Sequence, residues 1–242
     1  MFFIFKKRNP KLFEIIPSGF TDIHSHILPG LDDGAQNLNE SKNLISGIQK
    51  LGFSKIIATP HNYPGLYENT NEIIKESFDT LQKKINVKIK VNYASEYMID
   101  SSLIEKSEKK SLLTIKKDYV LVEMSYIASP NNLHDIIFKL RTNDYVPILA
   151  HPERYNFLHK NFDEYLKLKD IGCLFQLNLL STTGYYGYDV LKTSNLLLNK
   201  KLIDFVGSDI HRDKHIKEFY NNVKIKEIKE LEKVIDKNSF FR

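Results

Sequence analysis

His24 and His26 stand two residues apart in the segment DIHSH. In an extended strand alternate side chains share a face, so both imidazoles can reach one metal ion. A single such pair is a weak signal, because two ordinary polar histidines explain it as well. The chain repeats the theme, however. Asp32 and Asp33 follow in LPGLDDGA, where Asp and Gly also suit a plain turn. His61 ends ATPH, Glu96 lies in ASEYM, and Glu123 ends the apolar run VLVE. His151 and Arg154 lie in LAHPERY, and Asp209 and His211 restore the two-residue spacing in VGSDIH. Glu123 is informative by itself, since a carboxylate in an apolar run is costly to bury unless it meets a cation.

The candidate ligands are His24, His26, Asp33, His61, Glu96, Glu123, His151, Asp209 and His211. One ion bound by His and carboxylate takes roughly three or four ligands, so this set suits two or three divalent ions, some sharing a carboxylate. Such clusters activate water near neutral pH and clamp a phosphoryl group during in-line displacement. Manganese is the expected metal, although iron, zinc and cobalt accept the same mixed ligands. Arg154 suits this chemistry because its planar fork matches phosphate oxygens; a surface salt bridge is its plainer reading.

Something must gather these residues, and the elements that carry them are β-rich runs. Seven appear, at residues 20–26, 54–60, 89–96, 119–125, 146–152, 173–179 and 203–209, each with its polar residues at or just past its end. Amphipathic helical patterns separate most of them, at 39–52, 69–85, 131–144, 162–172 and 189–201, and another spans 217–235. Alternation of this kind predicts an α/β protein with parallel strands. Seven units in one unbroken series favour a closed or nearly closed barrel over an open doubly wound sheet. In a parallel barrel the strand ends converge on one face, where active sites are built.

Bulk properties narrow the class. Of the 242 residues 42% are hydrophobic and 27% charged, ordinary for a soluble globular protein. One domain over 1–242 is expected, with an N-terminal arm at 1–19 and a C-terminal helical segment at 212–242. No stretch approaches a membrane-spanning length. The apolar start of MFFIFKKRNP is too short for a signal peptide and precedes its basic residues. It reads as an arm packed on the barrel, with a weak membrane contact as the competing reading, and the protein reads as cytoplasmic. A net charge of +5, spread over solvated helix faces, gives mild attraction for anions and no sign of nucleic-acid binding. The lone Cys173 excludes an internal disulfide. It also lies in apolar surroundings, with Leu179 six residues on where a thiol phosphatase needs arginine.

Taken together, DIHSHILPGLDDGA, ATPH, ASEYM, LVEMS, AHPERY, LFQLNLLSTTGYYG and FVGSDIH resemble the polymerase-and-histidinol-phosphatase (PHP) family. More closely they resemble its bacterial tyrosine phosphatases of the capsule and exopolysaccharide type. The resemblance implies a distorted, TIM-like (β/α)7 barrel with three metals. His24, His26, Glu96 and Asp209 would hold the first. Glu96, Glu123 and His151 would hold the second, and Asp33, His61 and His211 the third. Arg154 matches the family's phosphate-binding arginine, and the carboxylates Asp33 and Glu123 match the tyrosine-phosphatase branch. Arg154, His61 and Asp209 are then the catalytic candidates.

The implied substrate is a phosphotyrosine on a membrane-associated bacterial tyrosine kinase, with Tyr185 and Tyr186 of STTGYYGYD as candidate contacts for its ring. A phosphatase of the same family acting on histidinol phosphate or a sugar phosphate is the runner-up. An amidohydrolase would need a bridging lysine at a strand tip, and none occurs. A non-catalytic metal-bound module would not need Arg154.

Activity is therefore expected to depend on metal and not on thiol. Chelator should abolish turnover of an aryl phosphate, and Cys173→Ser should leave it within a few-fold of wild type. Chelator-resistant turnover that vanishes in Cys173→Ser would overturn the metal reading.

Overall fold

The computed structural model describes residues 8–86 and 88–242, so the MFFIFKK portion of the N-terminal arm lies outside the described residues. Two parallel ladders are present. β1 (Phe20–Asp22), β2 (Phe53–Ala58) and β4 (Lys90–Tyr93) form one, in the order β1-β2-β4. The other joins β3 (His61–Asn62), β5 (Glu96–Met98), β6 (Tyr119–Glu123), β7 (Val146–Ala150), β8 (Leu174–Asn178) and β9 (Phe205–Gly207), in the order β3-β5-β6-β7-β8-β9.

These segments are the seven expected strands, two of them bent. Pro60 has no N–H to donate, so regular pairing stops between β2 and β3. The ladder nevertheless continues across the bend, where Ala94 N–H donates to Ala58 O at 2.8 Å and Glu96 N–H donates to Pro60 O at 3.0 Å. One consequence differs from the sequence reading: His61 and Glu96 begin short strands after the bend rather than ending long ones. The circle closes between β9 and β1. Asp209 N–H donates to His24 O at 2.8 Å, His26 N–H donates to Ile210 O at 2.9 Å, and Ser25 and Ile210 form a parallel bridge. The result is a distorted seven-stranded barrel.

Two-residue alternation sorts its core. Ile57, Leu121, Ile148 and Ala150 belong to a small inner cluster with Ile23, Phe205 and Phe241. Ile56, Ala58, Val120, Val122 and Leu149 face the helices in the larger cluster. Helices α1 (Leu38–Lys50) and α2 (Asn71–Lys84) start on the caps Asn37 and Thr70, whose side chains accept from backbone N–H groups of the first turn. α3 (Ser101–Glu108), capped by Asp100, is a helix that the sequence reading leaves out. It has only eight residues, and few of them are apolar. α4 (Leu133–Thr142), α5 (Phe162–Asp170) and α6 (Tyr188–Asn199) fall where expected.

The pattern at 217–235 is not one helix but the end of α7 (Asp213–Glu218) and most of α8 (Ile228–Lys237). Between them Val223 and Ile225 are buried while Lys224 and Lys226 are exposed, which is strand-like alternation. Val223 N–H there donates to Pro10 O, and Lys224 N–H to Thr182 O. Tertiary pairing thus overrides helix propensity.

Asn238, fully buried after α8, ties the closing seam. Its Nδ2 donates to Thr21 O at 3.0 Å and Val206 O at 2.8 Å, and its Oδ1 accepts from Val206 N–H at 3.1 Å. Asn238→Ala strands these backbone groups in the interior, so a loss of about 2–3 kcal/mol is expected. Urea unfolding checks it; an unchanged midpoint would show that the seam does not need this side chain.

Candidate metal centre

His24 and His26 follow β1, and their Nε2 atoms come within 3.2 Å of each other. What turns them inward is a hydrogen bond on the far side of each ring. His24 Nδ1–H donates to Gln176 Oε1 at 2.7 Å, since the Gln176 amide nitrogen is already donating to Leu177 O. His26 Nδ1–H donates to Asp32 Oδ2 at 2.7 Å. In the same way His211 Nδ1–H donates to Asp209 O at 3.0 Å, which leaves its Nε2 3.2 Å from Asp33. Bonds of this kind fix the tautomer and leave a lone pair for a metal.

Glu96 occupies the middle of the cluster and is fully buried. Its Oε2 lies 3.1 Å from His24 Nε2, 3.4 Å from His26 Nε2 and 3.1 Å from His61 Nδ1; its Oε1 lies 3.2 Å from His151 Nε2. His61 Nδ1 also lies 2.8 Å from Glu123, and Asp209 Oδ1 sits 3.3–3.4 Å from His24 and His26. These contacts are close yet misaligned. Among the described residues neither Glu96 oxygen nor His61 Nδ1 has a hydrogen-bond partner, although all are buried. Buried polar atoms without partners are rare and call for an explanation. Lone pairs converging on shared cations supply one, and the hard-oxygen and imidazole donor set fits divalent ions.

The nine candidates form overlapping groups. His26, Asp33, His61 and His211 make one, His24, His26 and Glu96 a second, His61, Glu96 and Glu123 a third, and His24, His151 and Asp209 a fourth. Glu96 and His24 form the floor. Asp33, His61, His211 and Arg154 are partly exposed and mark the open edge.

Charge explains the rest. Glu96 and Asp209 are held well below the usual carboxylate range; burial opposes this, and neighbouring imidazoles outweigh it. Burial and His26 push His61 down, but Glu96 and Glu123 carry it up to about 11. Burial and the Arg154 charge instead bring His151 down to about 4, leaving it neutral and free to bind metal at pH 7. The cluster is thus short of positive charge, and divalent ions would displace the protons that otherwise balance it. Burial raises the Cys173 thiol to about 12, which keeps it inert.

Two of the candidates are held in left-handed backbone, His151 at φ 37° and Asp209 at φ 51°. Non-glycine residues in that region cost on the order of 1–3 kcal/mol, and His151 bears the added clash of a following proline. Gly34 is required for a different reason, because a Cβ there would lie 2.1 Å from His26 O.

Arg154 Nη1 reaches Asp209 Oδ2 at 2.6 Å. Its guanidinium carbon lies 4.2 Å from the Tyr186 ring centroid and 4.9 Å from that of Tyr126. Asn178 Nδ2 donates to both Asp209 Oδ2 and Tyr186 Oη. Tyr185 packs edge-on against Tyr186 and His215, and Tyr188 opens α6 in solvent. The sequence reading missed Gln176, Asn178 and Tyr126, and left Asp32 out of the candidate set. Gln176 did carry a signal, as a lone polar side chain inside an apolar strand.

A family model described as capsular polysaccharide synthesis, CpsB/CapC, matches residues 20–237. The chain belongs to this family. Tyrosine-protein phosphatase YwqE of Bacillus subtilis is 31% identical over 197 residues, covering 80% of this chain and 78% of YwqE. Tyrosine-protein phosphatase CpsB of Streptococcus pneumoniae is 31% identical over 199 residues, covering 78% and 82%. Among solved structures, one from a study of YwqE and CpsB, described as metal-dependent tyrosine phosphatases, superposes with a TM-score of 0.78 at 30% identity over 88% of this chain and 86% of that one. A histidinol phosphate phosphatase from Lactococcus lactis, at 14% identity and a TM-score of 0.58 over 92% and 94%, shares the fold. The CpsB/CapC match thus spans every strand of the barrel and all nine candidates.

If cations fill the cluster, adding manganese, zinc or cobalt to chelator-treated protein should raise its melting temperature. A site saturated about a hundredfold above Kd adds roughly 2.7 kcal/mol, on the order of 5–10 °C for a chain of this size. Glu96→Gln should lose most of that shift. A wild-type melting curve indifferent to all these ions would remove the metal assignment.

Proposed function

We propose that this chain is a metal-dependent phosphatase that hydrolyses phosphotyrosine on proteins. The observation that carries the reading is the position of Arg154 at the open edge of a buried histidine–carboxylate cluster, within reach of Asp209. The relatives named tyrosine-protein phosphatases support the substrate class.

In this proposal His24, His26, Glu96 and Asp209 would hold one divalent ion, Glu96, Glu123 and His151 a second, and Asp33, His61 and His211 a third. His26 also lies with the third group, His61 also with Glu96 and Glu123, and His151 with His24 and Asp209. When bound, such ions supply Lewis-acid charge and water activation. The chain's own residues do the rest. Arg154 stays protonated and turns its fork from Asp209 to the phosphate oxygens, binding charge that grows in the transition state. Tyr186 backs the guanidinium and Tyr185 packs edge-on against Tyr186, so the pair supports Arg154 rather than presenting a free face to the substrate ring. The leaving tyrosinate has a solution pKa of about 10 and needs less protonation than an alkoxide. His61 and Asp209, the other catalytic candidates, lie in the same cluster as candidate ligands.

No helix among the described residues is long and apolar enough to cross a membrane. We propose manganese as the metal, with iron, zinc and cobalt as the alternatives, and the phosphorylated tail of a membrane-associated tyrosine kinase as the partner, met in the cytoplasm.

Arg154→Ala is expected to lower kcat/KM about a hundredfold with metal content intact, on the scale of about 2.7–4 kcal/mol for one preorganised donor. Arg154→Lys should rescue in part, because lysine lacks the fork. The substrate is settled by competition among phosphotyrosine peptide, phosphoserine peptide and histidinol phosphate at equal metal loading. Preference for either of the last two would retire the tyrosine reading, and wild-type kinetics in Arg154→Ala would return Arg154 to a salt-bridge role.

A further inference from the structure

The loop after β6 presents an aromatic residue for which the chemistry above has no use. Tyr126 lies three residues past Glu123, and it is 47% exposed while the neighbouring Ile127 is 91% exposed. Large apolar side chains in water need a reason when they cluster at a site. Tyr126 is also not loose. Its ring lies near-parallel to the His151 imidazole, with centroids 5.8 Å apart at 23°. It packs on the buried Tyr155 at 5.6 Å, and Tyr155 in turn is anchored by its hydroxyl accepting from Met124 N–H at 2.9 Å. The Arg154 guanidinium lies 4.9 Å from its centre. Tyr186, the other aromatic on that guanidinium, is largely buried and hydrogen-bonded to Asn178, so it offers a substrate little free surface.

We infer that Tyr126 is the specificity-determining residue for aryl phosphates, its exposed face packing against the substrate's phenyl ring while Arg154 holds the phosphate. The inference rests on the phosphotyrosine reading and deepens it. A phosphate held by Arg154 must carry its organic group outward, past the edge where Tyr126 stands. A ring already fixed by His151, Tyr155 and Arg154 loses little freedom on contact, which is the condition for an aromatic pair to contribute net affinity. Ile127 extends the same surface toward residues flanking a tyrosine in a peptide, with a flexible backbone strand as the fitting occupant of a shallow edge. A short alkyl phosphate reaches neither side chain.

The test compares kcat/KM for phosphotyrosine peptide and for an alkyl phosphate, in wild type, Tyr126→Phe, Tyr126→Leu and Tyr126→Ala, with metal content measured for each. Comparing variants cancels the intrinsic reactivity of the two esters. The aryl-to-alkyl ratio should fall about three- to tenfold in Tyr126→Ala, mostly through KM, as expected for loss of one aromatic pair. It should fall less in Tyr126→Leu and hold in Tyr126→Phe. If the alanine variant loses metal, the leucine variant, which keeps more of the apolar bulk, carries the comparison. Equal losses on both substrates would mean that Tyr126 only supports Arg154, and would overturn the inference while leaving the phosphatase reading intact. A wild-type protein that prefers the alkyl ester would instead overturn the phosphotyrosine reading itself.

Discussion

Glu96 sets the terms for this structure. Its carboxylate is wholly buried, both oxygens lack a hydrogen-bond donor among the described residues, and four imidazoles crowd it at 3.1–3.4 Å. An ionised group in that position is tolerated only where positive charge meets it. Protons on the imidazoles can supply some, but protonated rings repel one another and cannot accept a metal. Shared divalent cations would answer both demands at once, with Glu96 among the residues that would hold them. The surrounding hydrogen bonds fit that account. Gln176, Asp32 and the Asp209 carbonyl each occupy the outer nitrogen of a ring and leave the inner one free.

Holding such a cluster places demands on the frame. The candidate ligands are spread between positions 24 and 211, so only closure of the barrel brings the ends together. The seam between β9 and β1 is where that closure happens, with Asp209 N–H on His24 O, and it joins two candidate ligands through their own backbones. Strain concentrates at the same places. His151 and Asp209 sit in left-handed backbone, each fixed by a backbone bond from its own N–H: His151 to Gln176 O at 2.7 Å, Asp209 to His24 O. Local strain of this kind persists because the interior of apolar side chains over-determines it.

Much of the site was legible in the sequence because its residues break local rules. Glu123 in an apolar strand and paired histidines at strand ends mark positions where packing alone would choose otherwise. The seven-unit barrel was legible for a related reason, since strand and helix periodicities alternate from residue 20 to residue 207 everywhere except at the short α3. The details that were not legible depend on partners far away in sequence. Asp32 and Asp33 look alike in the turn, and only the fold shows that Asp32 orients His26 while Asp33 faces His211. The bends at Pro60 and Ser95 carry His61 and Glu96 from one ladder to the other. The charged repeat at 217–235 reads as a helix, yet its middle is drawn out by Pro10 and Thr182. Tyr126 carries no motif; its meaning lies in what it touches.

The site therefore divides into a rigid floor and an accessible edge. Glu96, His24, His26 and His151 form the floor and are closed to solvent, whereas Asp33, His61, His211 and Arg154 reach it. Among the described residues that edge is the exposed side of the cluster, and Arg154 and Tyr126 stand beside it. The most direct measurement is anomalous diffraction from crystals of the manganese-loaded protein. The account expects two or three metal peaks within the ring of nine ligands, with Glu96 bridging two of them. Peaks elsewhere, or a single ion bound without Glu96, would contradict it.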